Sequence, residues 1–382
     1  MSVRAGKFDL AIAGGGILGM SLAGFLAAGG ARVCLVDGGS GGGSTANAGS
    51  LHVQLQSRFS RKYPEKLPAL ERNLHLYPKA VAFWRQLEAK LGANFDVHMT
   101  GGLMVAESPE QLGFLAEKSE REARLGLDVR IMERDEVERI APYLGPTVHG
   151  AEFCATEGKA NPLLSYAAIR KWALGLGVTL VTDTLVAAVE ESGSGYVLAT
   201  AGEAVRADRV VLAAGGGNKA LAATLGLNLP VVAEPLHMNI TEPTRPIIGH
   251  LVQHADRPIT LKQFSSGHVA IGGGWPASFR PRDGYPTVEI TSMAGNTNLA
   301  QHIIPQLSPL RVIRTWAGIN ATADGRPILG EFSARPGVFA AVSGDAGFTL
   351  GPFSGQLLAE EILGNPPTED MAEFSPDPYA TG

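Results

Sequence analysis

The chain has 382 residues, 45% of them hydrophobic, which is enough for more than one domain core and argues against a disordered protein. The net charge is −5, from 37 acidic and 32 basic residues, and no long basic run indicates nucleic-acid binding. Cys34 and Cys154 lie outside any CxxC spacing, and no histidine pair has the spacing of a helical metal site. We therefore expect no metal, no disulfide framework and a reducing, cytoplasmic setting. Small-molecule chemistry is the default expectation.

The first forty residues predict a strand, a glycine turn, a helix and a second strand. Residues 8–13 are a short apolar run typical of a buried strand, residues 17–28 have helical length, and residues 32–36 are a second apolar run. Glycines interrupt this stretch twice, so it does not fit a membrane-spanning helix, which needs about 20 uninterrupted apolar residues. The pattern is typical of a βαβ unit in a parallel sheet.

Further along the chain, apolar residues at three-to-four spacing predict helices and alternating runs predict strands. The predicted helices cover residues 67–92, 109–125 and 163–176, a hairpin covers 97–107, and strands lie within 178–191, 195–200 and 206–217. Runs at 258–264 and 268–275 indicate a second, more antiparallel region. The segment 337–364 predicts a strand, a turn and a helix from about Gly355.

Gly14, Gly16 and Gly19 form a GxGxxG motif between the first strand and the first helix. Such glycines allow a tight turn, close approach of the backbone to a pyrophosphate, and close packing of helix on strand. Asp37 ends the second strand, where an acid accepts hydrogen bonds from a ribose, although a solvated turn aspartate is the simpler alternative. Two other GGG runs, ending at Gly217 and Gly274, lack the following xxG and are interpreted as strand ends.

Six segments, in chain order, carry a family resemblance: AIAGGGILGMSLAGFLAAGGARVCLVD, STANAG, EGKANP, DRVVLAAGG, RTWAGINATADGRPILGE and GVFAAVSGDAGFTLGPFSGQLLAEEILG. Together they resemble the D-amino acid oxidase superfamily of FAD enzymes, which includes glycine oxidase and sarcosine oxidase. The ANAGSL segment is similar to the beta subunits of heteromeric octopine and nopaline oxidases, hydroxyproline dehydrogenase and hydrogen cyanide synthase. The resemblance implies an α/β fold with two domains.

One domain would be a Rossmann-type FAD-binding domain, with a parallel sheet and helices. The other would be an α+β substrate domain with a mixed, largely antiparallel sheet. We predict that residues 1–85, 146–220 and 320–382 form the discontinuous FAD-binding domain, and that residues 86–145 and 221–319 form the substrate domain.

The resemblance also implies FAD rather than NAD and places its contacts in several segments. These are Gly14, Gly15, Gly16, Ile17, Leu18 and Gly19 at the pyrophosphate; Asp37 and Gly38 near the ribose; Gly43, Ser44, Thr45, Asn47, Ala48, Gly49 and Ser50 along the pyrophosphate and flavin; Val186 at adenine; Ala214 and Gly215 over the nucleotide; Gly318 and Asp324 beside the flavin; and Gly344, Phe348, Thr349 and Leu350 at its pyrimidine edge. Backbone N–H groups near a helix start can stabilise the charge of a reduced flavin. No cysteine follows Cys154, so the covalent link of some family members is not expected and FAD should be non-covalent.

The substrate side departs from the family. Glycine oxidase-like members carry an arginine just after the WAG motif that binds the substrate carboxylate, whereas here Gly318 is followed by Ile319, Asn320 and Ala321. A simple glycine or D-alanine oxidase is therefore doubtful. Arg58, Arg61 and Lys62 could supply positive charge, with a solvated surface run as the alternative.

Five further side chains are candidates for the substrate side of the flavin: His52, His237, Lys262, Gln263 and Asn320. For the histidines the alternative is a hydrogen-bonded core residue. No single base is required, because amine oxidation by a flavin mainly needs a neutral amine with its C–H aimed at N5.

We expect FAD-dependent oxidation of a secondary amine, opine or proline-type amino acid to an imine that hydrolyses. The chain would be the catalytic beta subunit of a heteromeric dehydrogenase whose partner subunits carry the electrons onward, in the cytoplasm or at the inner membrane through those partners. A stand-alone oxidase that produces hydrogen peroxide, and a non-catalytic FAD-binding subunit, are the alternatives.

Overall fold

The computed structural model describes residues 7–39 and 42–380. The strands are β1 (Phe8–Ala13), β2 (Val33–Val36), β3 (Ser50–Leu51), β4 (Gly102–Ala106), β5 (Val129–Glu133), β6 (Gly150–Cys154), β7 (Gly158–Lys159), β8 (Thr179–Val181), β9 (Val186–Ser192), β10 (Gly195–Thr200), β11 (Val205–Leu212), β12 (Val232–Thr241), β13 (Leu251–His254), β14 (Thr260–Gln263), β15 (Val269–Gly272), β16 (Ser278–Phe279), β17 (Pro286–Thr287), β18 (Val312–Thr322), β19 (Ile328–Glu331) and β20 (Val338–Val342). The α-helices are α1 (Ile17–Ala28), α2 (Ser57–Lys62), α3 (Leu67–Asn73), α4 (Leu76–Leu91), α5 (Pro109–Arg124), α6 (Arg134–Ile140), α7 (Pro162–Gly175), α8 (Asn218–Thr224), α9 (Ile290–Ile303) and α10 (Gly347–Ile362). No helix in the described ranges is both long and apolar enough to cross a membrane.

The first sheet confirms the predicted βαβ start. Its order is β19-β20-β11-β1-β2-β8, and the hairpin of β9 and β10 continues from β11. β1 pairs in parallel with β2 and with β11, which explains why these strands are apolar on both faces. One face packs against α1, α4, α7 and α10, and the other carries a second core that includes residues of α8.

Helices α1 and α10 lie unusually close together because glycines line their contact. A Cβ added to Gly351 would lie 2.8 Å from Ile17 Cγ2, and one added to Gly355 would lie 2.9 Å from the backbone nitrogen of Leu22. The prediction that the last helix runs from about Gly355 is wrong, since α10 begins at Gly347 and contains Pro352. Packing on α1 stabilises a helix that its glycine and proline content would otherwise disfavour.

The second sheet confirms the predicted mixed, largely antiparallel region. Its order is β18-β12-β15-β14-β13-β4-β6-β5, and only β13 and β4 pair in parallel. One face packs on α9 and the other faces residues 42–50, here called the connecting segment. The predicted hairpin over 97–107 is wrong, because β4 pairs with the distant strands β6 and β13.

The two sheets draw on different parts of the chain. The strands of the second sheet come from residues 102–154 and 232–322, so that β6 joins it although it lies in the range 146–220. The division of the chain into two domains stays a prediction.

Candidate functional site

The glycines of the GxGxxG motif fix the turn into α1. Gly14 has φ +117°, and a Cβ there would lie 2.3 Å from the carbonyl oxygen of Ala213. A Cβ on Gly19 would lie 2.1 Å from the carbonyl oxygen of Gly14, so larger residues are excluded at both positions. The first backbone N–H of the helix, at Ile17, donates to Ser44 Oγ at 2.7 Å. The start of α1 therefore binds the connecting segment through a side-chain cap.

Asp37 lies beside this turn, at the end of β2. A Cβ on Gly15 would approach the Asp37 carboxyl carbon to 2.6 Å, so the carboxylate lies directly over the glycine backbone. The Asp37 backbone N–H donates to Val181 of β8 at 2.8 Å, and its Oδ1 accepts from Gly39 at 3.2 Å. Leu185 lies over Gly38, 2.4 Å from the place of an added Cβ. Ser40 and Gly41 lie outside the described residues.

The connecting segment crosses directly over β18. A Cβ on Gly43 would lie 2.2 Å from the carbonyl oxygen of Ile319, and one on Gly318 would lie 2.5 Å from Ala46 Cβ. Trp316 donates its indole N–H to the carbonyl oxygen of Ala46 at 2.9 Å. The small residues here allow two backbones to pack closely, so this glycine-rich stretch is an ordered bridge between the two sheets.

The second half of the segment is also held by hydrogen bonds. Asn47 Oδ1 accepts from the backbone N–H of Gly49 at 2.8 Å, and Gly49 has φ +78° with the carbonyl oxygen of Ala160 only 2.2 Å from the place of an added Cβ. Ser50 and Leu51 then pair with β7. Ala48 packs beside Met238. The backbone of the predicted flavin contacts is thereby fixed.

The start of α10 differs from that of α1 because no side chain caps it. The N–H groups of Gly347, Phe348 and Thr349 precede the first intrahelical hydrogen bond, which runs from Leu350 N–H to the Ala346 carbonyl oxygen at 3.0 Å. The predicted contact through the Leu350 backbone is therefore corrected: its N–H is already used inside the helix. The three preceding donors can face a ligand with acceptor oxygens.

Other predicted cofactor residues lie at the edges of this region. Val186 begins β9 opposite Thr200, and Ala214 donates its backbone N–H to Asn218 Oδ1 at 2.7 Å. Gly215 has φ +55° and begins a short 3₁₀ helix. Asp324 is exposed and accepts a hydrogen bond from the Tyr379 hydroxyl at 3.0 Å. None of these four residues has a buried side-chain N or O atom that lacks a hydrogen-bond partner.

Lys262 is the buried cation of the second sheet that reaches the connecting segment. It is 0% exposed, and its ammonium group donates to the Ser50 hydroxyl and, at 3.4 Å, to the Thr260 hydroxyl. Burial first, and the nearby Lys159 second, lower the pKa of Lys262 to about 7. An amine with this pKa exchanges protons near neutral pH.

His52 follows β3 and lies next to this lysine. Its backbone N–H donates to Thr349 Oγ1 at 3.1 Å, which ties it to the first turn of α10. Burial and the charge of Lys262 lower the pKa of the imidazole, so it is neutral at pH 7. Its Nδ1 lies 3.3 Å from Gln56 Nε2 and 3.9 Å from a carboxylate oxygen of Glu157.

Glu157 is a site residue that the sequence analysis missed. It is 0% exposed and accepts hydrogen bonds from the backbone of Val53 at 2.8 Å and Gln54 at 3.1 Å, and from the side chains of Gln54 and Gln253. Burial raises its pKa to about 7. The sequence signal that could have identified Glu157 is the EGKANP motif, which begins with this residue. Glu157 anchors the chain just after His52.

His237 and Gln263 face away from the connecting segment, contrary to our expectation that they could face the flavin. Lys262 pairs with Ala270 and shares its face, so the next residue, Gln263, points toward α9. Gln263 is saturated by five backbone contacts. His237 alternates in the same way with Met238, which packs on Ala48. Its ring nitrogens are buried and lack a hydrogen-bond partner in the described part of the chain.

Asn320 and Arg61, two further substrate-side candidates, lie in different surroundings. Asn320 pairs with Glu234, on the same face of β18 as Gly318, and its role on the substrate side stays a prediction. Arg61 forms an ion pair with Asp256 and is already engaged.

Arg58 is exposed and lies over the glycine turn after β15, 3.4 Å from the place of a Cβ added to Gly274. It therefore stays a candidate. The side chain of Lys62 lies outside the described residues.

The residues present fit FAD. The glycine turn at α1 has no room for side chains beside an anion, and the uncapped start of α10 offers three backbone donors. The connecting segment runs from the start of α1 to the start of α10, so it can follow a dinucleotide whose pyrophosphate lies at one helix and whose flavin ring lies at the other. The residues that would hold it are those of the α1 turn, Asp37, the connecting segment and the first turn of α10. In residues 7–39 and 42–380 no group of three or more His, Cys, Asp or Glu side chains could hold a metal ion.

Comparison with known proteins places this geometry in one family. The chain is 28% identical over 381 residues to an opine oxidase subunit of Rhizobium meliloti, covering 97% of each chain, and 27% identical over 376 residues to glycine oxidase of Geobacillus kaustophilus, covering 97% of this chain and 96% of that one. The crystal structure of the latter superposes with a TM-score of 0.86 at 25% identity, covering 97% of this chain and 98% of that one. The model of the family described as "DAO: FAD dependent oxidoreductase" matches residues 9–361. The chain therefore belongs to the DAO family of FAD-dependent oxidoreductases.

Proposed function

We propose that this enzyme oxidises the C–H next to nitrogen in a secondary amine or N-substituted amino acid, giving an imine that hydrolyses. The observation that carries the proposal is the buried contact of Lys262 with Ser50, which places a titratable amine against the predicted flavin segment. The similar proteins named as an opine oxidase subunit and as glycine oxidase support an amine or amino-acid donor. Bound FAD would supply the hydride acceptor.

The chain's own residues would prepare the substrate. A substrate ammonium must lose one proton before its C–H can leave as hydride, and the neutral Lys262 amine can take that proton because its pKa is about 7. His52 and Asn320 would position the substrate from either side, since each borders the connecting segment. The absence of an arginine after Gly318 favours a substrate other than free glycine.

We further propose that the chain is the catalytic subunit of a heteromeric dehydrogenase and passes its electrons to a partner subunit. The word "subunit" in the name of the opine oxidase relative supports this arrangement. The second candidate is a stand-alone oxidase, which the name and crystal structure of glycine oxidase favour.

Anaerobic reduction of the purified protein tests these proposals. N-(carboxyalkyl) amino acids and proline derivatives should bleach the flavin absorbance, whereas glycine should bleach it slowly. Lys262→Met should slow bleaching at pH 7 by about 100-fold, in the range of a lost general base. Lys79→Met is the control, because Lys79 is an exposed lysine that pairs with Glu369 at 2.6 Å. A screen in which no amine bleaches the flavin would favour a non-catalytic FAD-binding subunit.

Reoxidation in air separates the two forms of the enzyme. A dehydrogenase should turn over slowly with oxygen and quickly with an artificial acceptor, and stoichiometric peroxide at a normal rate would establish the stand-alone oxidase instead. Acid precipitation should release the flavin into solution if it is bound non-covalently.

A further inference from the structure

Asp345 occupies the turn between β20 and α10, two residues before the helix begins. The turn is fixed by Gly344, which has φ +74° and would bring a Cβ within 2.9 Å of the Arg326 backbone. One carboxylate oxygen, Oδ1, accepts the backbone N–H of Ala323 at 3.0 Å. The other, Oδ2, is buried and has no hydrogen-bond partner among the residues that the structure describes. A buried acceptor of this kind is costly to leave unpaired.

The surroundings of Asp345 increase this cost. Burial raises its pKa, the acids Glu234 and Asp324 act in the same direction, and the Ala323 N–H and the cation of Lys66 oppose them. Tyr77, on α4, has its own pKa raised by burial and by the charge of Asp345. A bound donor at Oδ2 would relieve the missing hydrogen bond.

The free oxygen belongs to the turn that directly precedes the three backbone donors of Gly347, Phe348 and Thr349. A ligand that satisfies both must present acceptor oxygens to the helix start and a hydrogen-bond donor to the carboxylate. A phosphate or carboxylate offers acceptors only and would be repelled by Asp345. The pyrimidine edge of a flavin has the required order, because an N3–H stands between two carbonyl groups.

We propose that Asp345 binds the flavin ring by accepting a hydrogen bond from its N3–H, while the start of α10 donates to the adjacent carbonyl oxygen. The proposal rests on the FAD assignment of the proposed function and adds a specific anionic contact to it. Together, these two contacts would fix the orientation of the flavin ring relative to the start of α10. Its negative charge would also disfavour loss of the N3 proton and uptake of electrons by the ring.

The first test uses the wild-type protein alone. The N3 proton of a bound flavin is titrated through its absorbance change at alkaline pH, and the apparent pKa is compared with that of free FAD in the same buffer. We expect the bound value to be higher by about one unit or more, as for a donor paired with a carboxylate. An unchanged or lowered value would overturn the proposal.

The second test uses variants and a modified cofactor. Apoprotein is reconstituted with FAD and with 3-methyl-FAD, which lacks the N3–H, and the dissociation constants are measured by flavin fluorescence. Wild type should prefer FAD by about 10- to 100-fold, the range of one hydrogen bond to a charged group, whereas Asp345→Ala should lose most of this preference. Asp345→Asn should lower the N3 pKa and raise the flavin midpoint potential.

Asp370→Asn is the matched control. Asp370 is exposed, and its Oδ1 accepts one backbone N–H, from Ala372 at 2.9 Å, just as Asp345 accepts from Ala323. Its replacement should change neither the preference nor the potential.

Retention of the wild-type preference by Asp345→Ala would refute the contact. An Asp345→Asn protein with an altered KM but an unchanged N3 pKa would assign Asp345 to the substrate instead. A substrate screen that fails would leave all these binding measurements intact, so the two proposals can fail separately.

Discussion

The starts of α1 and α10 lie side by side yet are built in opposite ways. At α1 the turn is closed by glycines in contact with each other and with Ala213, directly after β11, and the first N–H is capped by Ser44. At α10 no side chain caps the helix, and an added Cβ on Gly347 would meet nothing within 4 Å. The first start needs its glycines for the protein's own packing. The second leaves its donors and space for a ligand.

Substitution of one glycine at the start of α1 and one at the start of α10 should give the largest difference in stability between the two helix starts. Gly19→Ala places a Cβ 2.1 Å from the Gly14 carbonyl oxygen, so it should destabilise the protein by about 3 kcal/mol and abolish FAD binding. Gly347→Ala should change the free energy of unfolding by no more than about 0.5 kcal/mol, so any loss of FAD there reports the ligand. Urea unfolding and flavin absorbance measure both effects.

Gly113→Ala, in α5, is the control for the glycine pair, because an added Cβ there meets nothing within 4 Å and it lies in a helix interior. It should be neutral or slightly stabilising, since alanine favours a helix. A Gly19→Ala protein that retains FAD and wild-type stability would contradict the close packing at α1.

The pH dependence of the free energy of unfolding tests the buried contact between Lys262 and the connecting segment, which joins the starts of α1 and α10. The pKa of Lys262 is about 7 in the folded protein, below the ordinary value of 10.5, so the unfolded chain binds one more proton between these limits. The free energy of unfolding should therefore rise with pH in this window, by at most about 1.4 kcal/mol per pH unit, and the full cost of the buried charge is present below pH 7.

Lys262→Met should lack this rise, which urea unfolding at pH 7, 8 and 9 would measure. Glu157 also has its pKa raised to about 7 and acts in the opposite direction near pH 7, but it is present in both proteins, so its effect cancels in the difference between their slopes. Equal slopes for wild type and Lys262→Met would contradict the burial of the ammonium group.

The cap of α1 should give the smallest effect. Ser44→Ala removes the acceptor of the Ile17 N–H and should cost about 1 kcal/mol of stability, as for other N-caps. Ser108→Ala is its match, because Ser108 caps α5 by accepting from Gln111 at 3.3 Å, far along the chain from the predicted FAD contacts. Both variants should lose similar stability in thermal unfolding, but only Ser44→Ala should weaken FAD binding, by several-fold. Equal FAD affinity in the two variants would contradict the placement of Ser44.

Local sequence determined the first of the two helix starts. Residues 8–36 contain a strand, a glycine turn, a helix and a strand in immediate succession. Their apolar runs and glycine spacing were sufficient to predict β1, α1 and β2, although β1 also pairs with the distant β11 and α1 packs on α10. The position of Asp37 after β2 follows from the same local order. The α/β fold and the FAD family were predicted from such segments in order along the chain.

Only the tertiary structure decided the rest, because the deciding contacts join distant parts of the chain. The early start of α10 depends on Gly351 and Gly355 packing against α1, which glycine and proline content alone argued against. Whether Lys262 or Gln263 meets the connecting segment depends on strand register, since a shift of one residue reverses the face of every side chain. Asp345 has no sequence signal at all: its unpaired oxygen exists because the Ala323 backbone binds one side of the carboxylate and the fold buries the other.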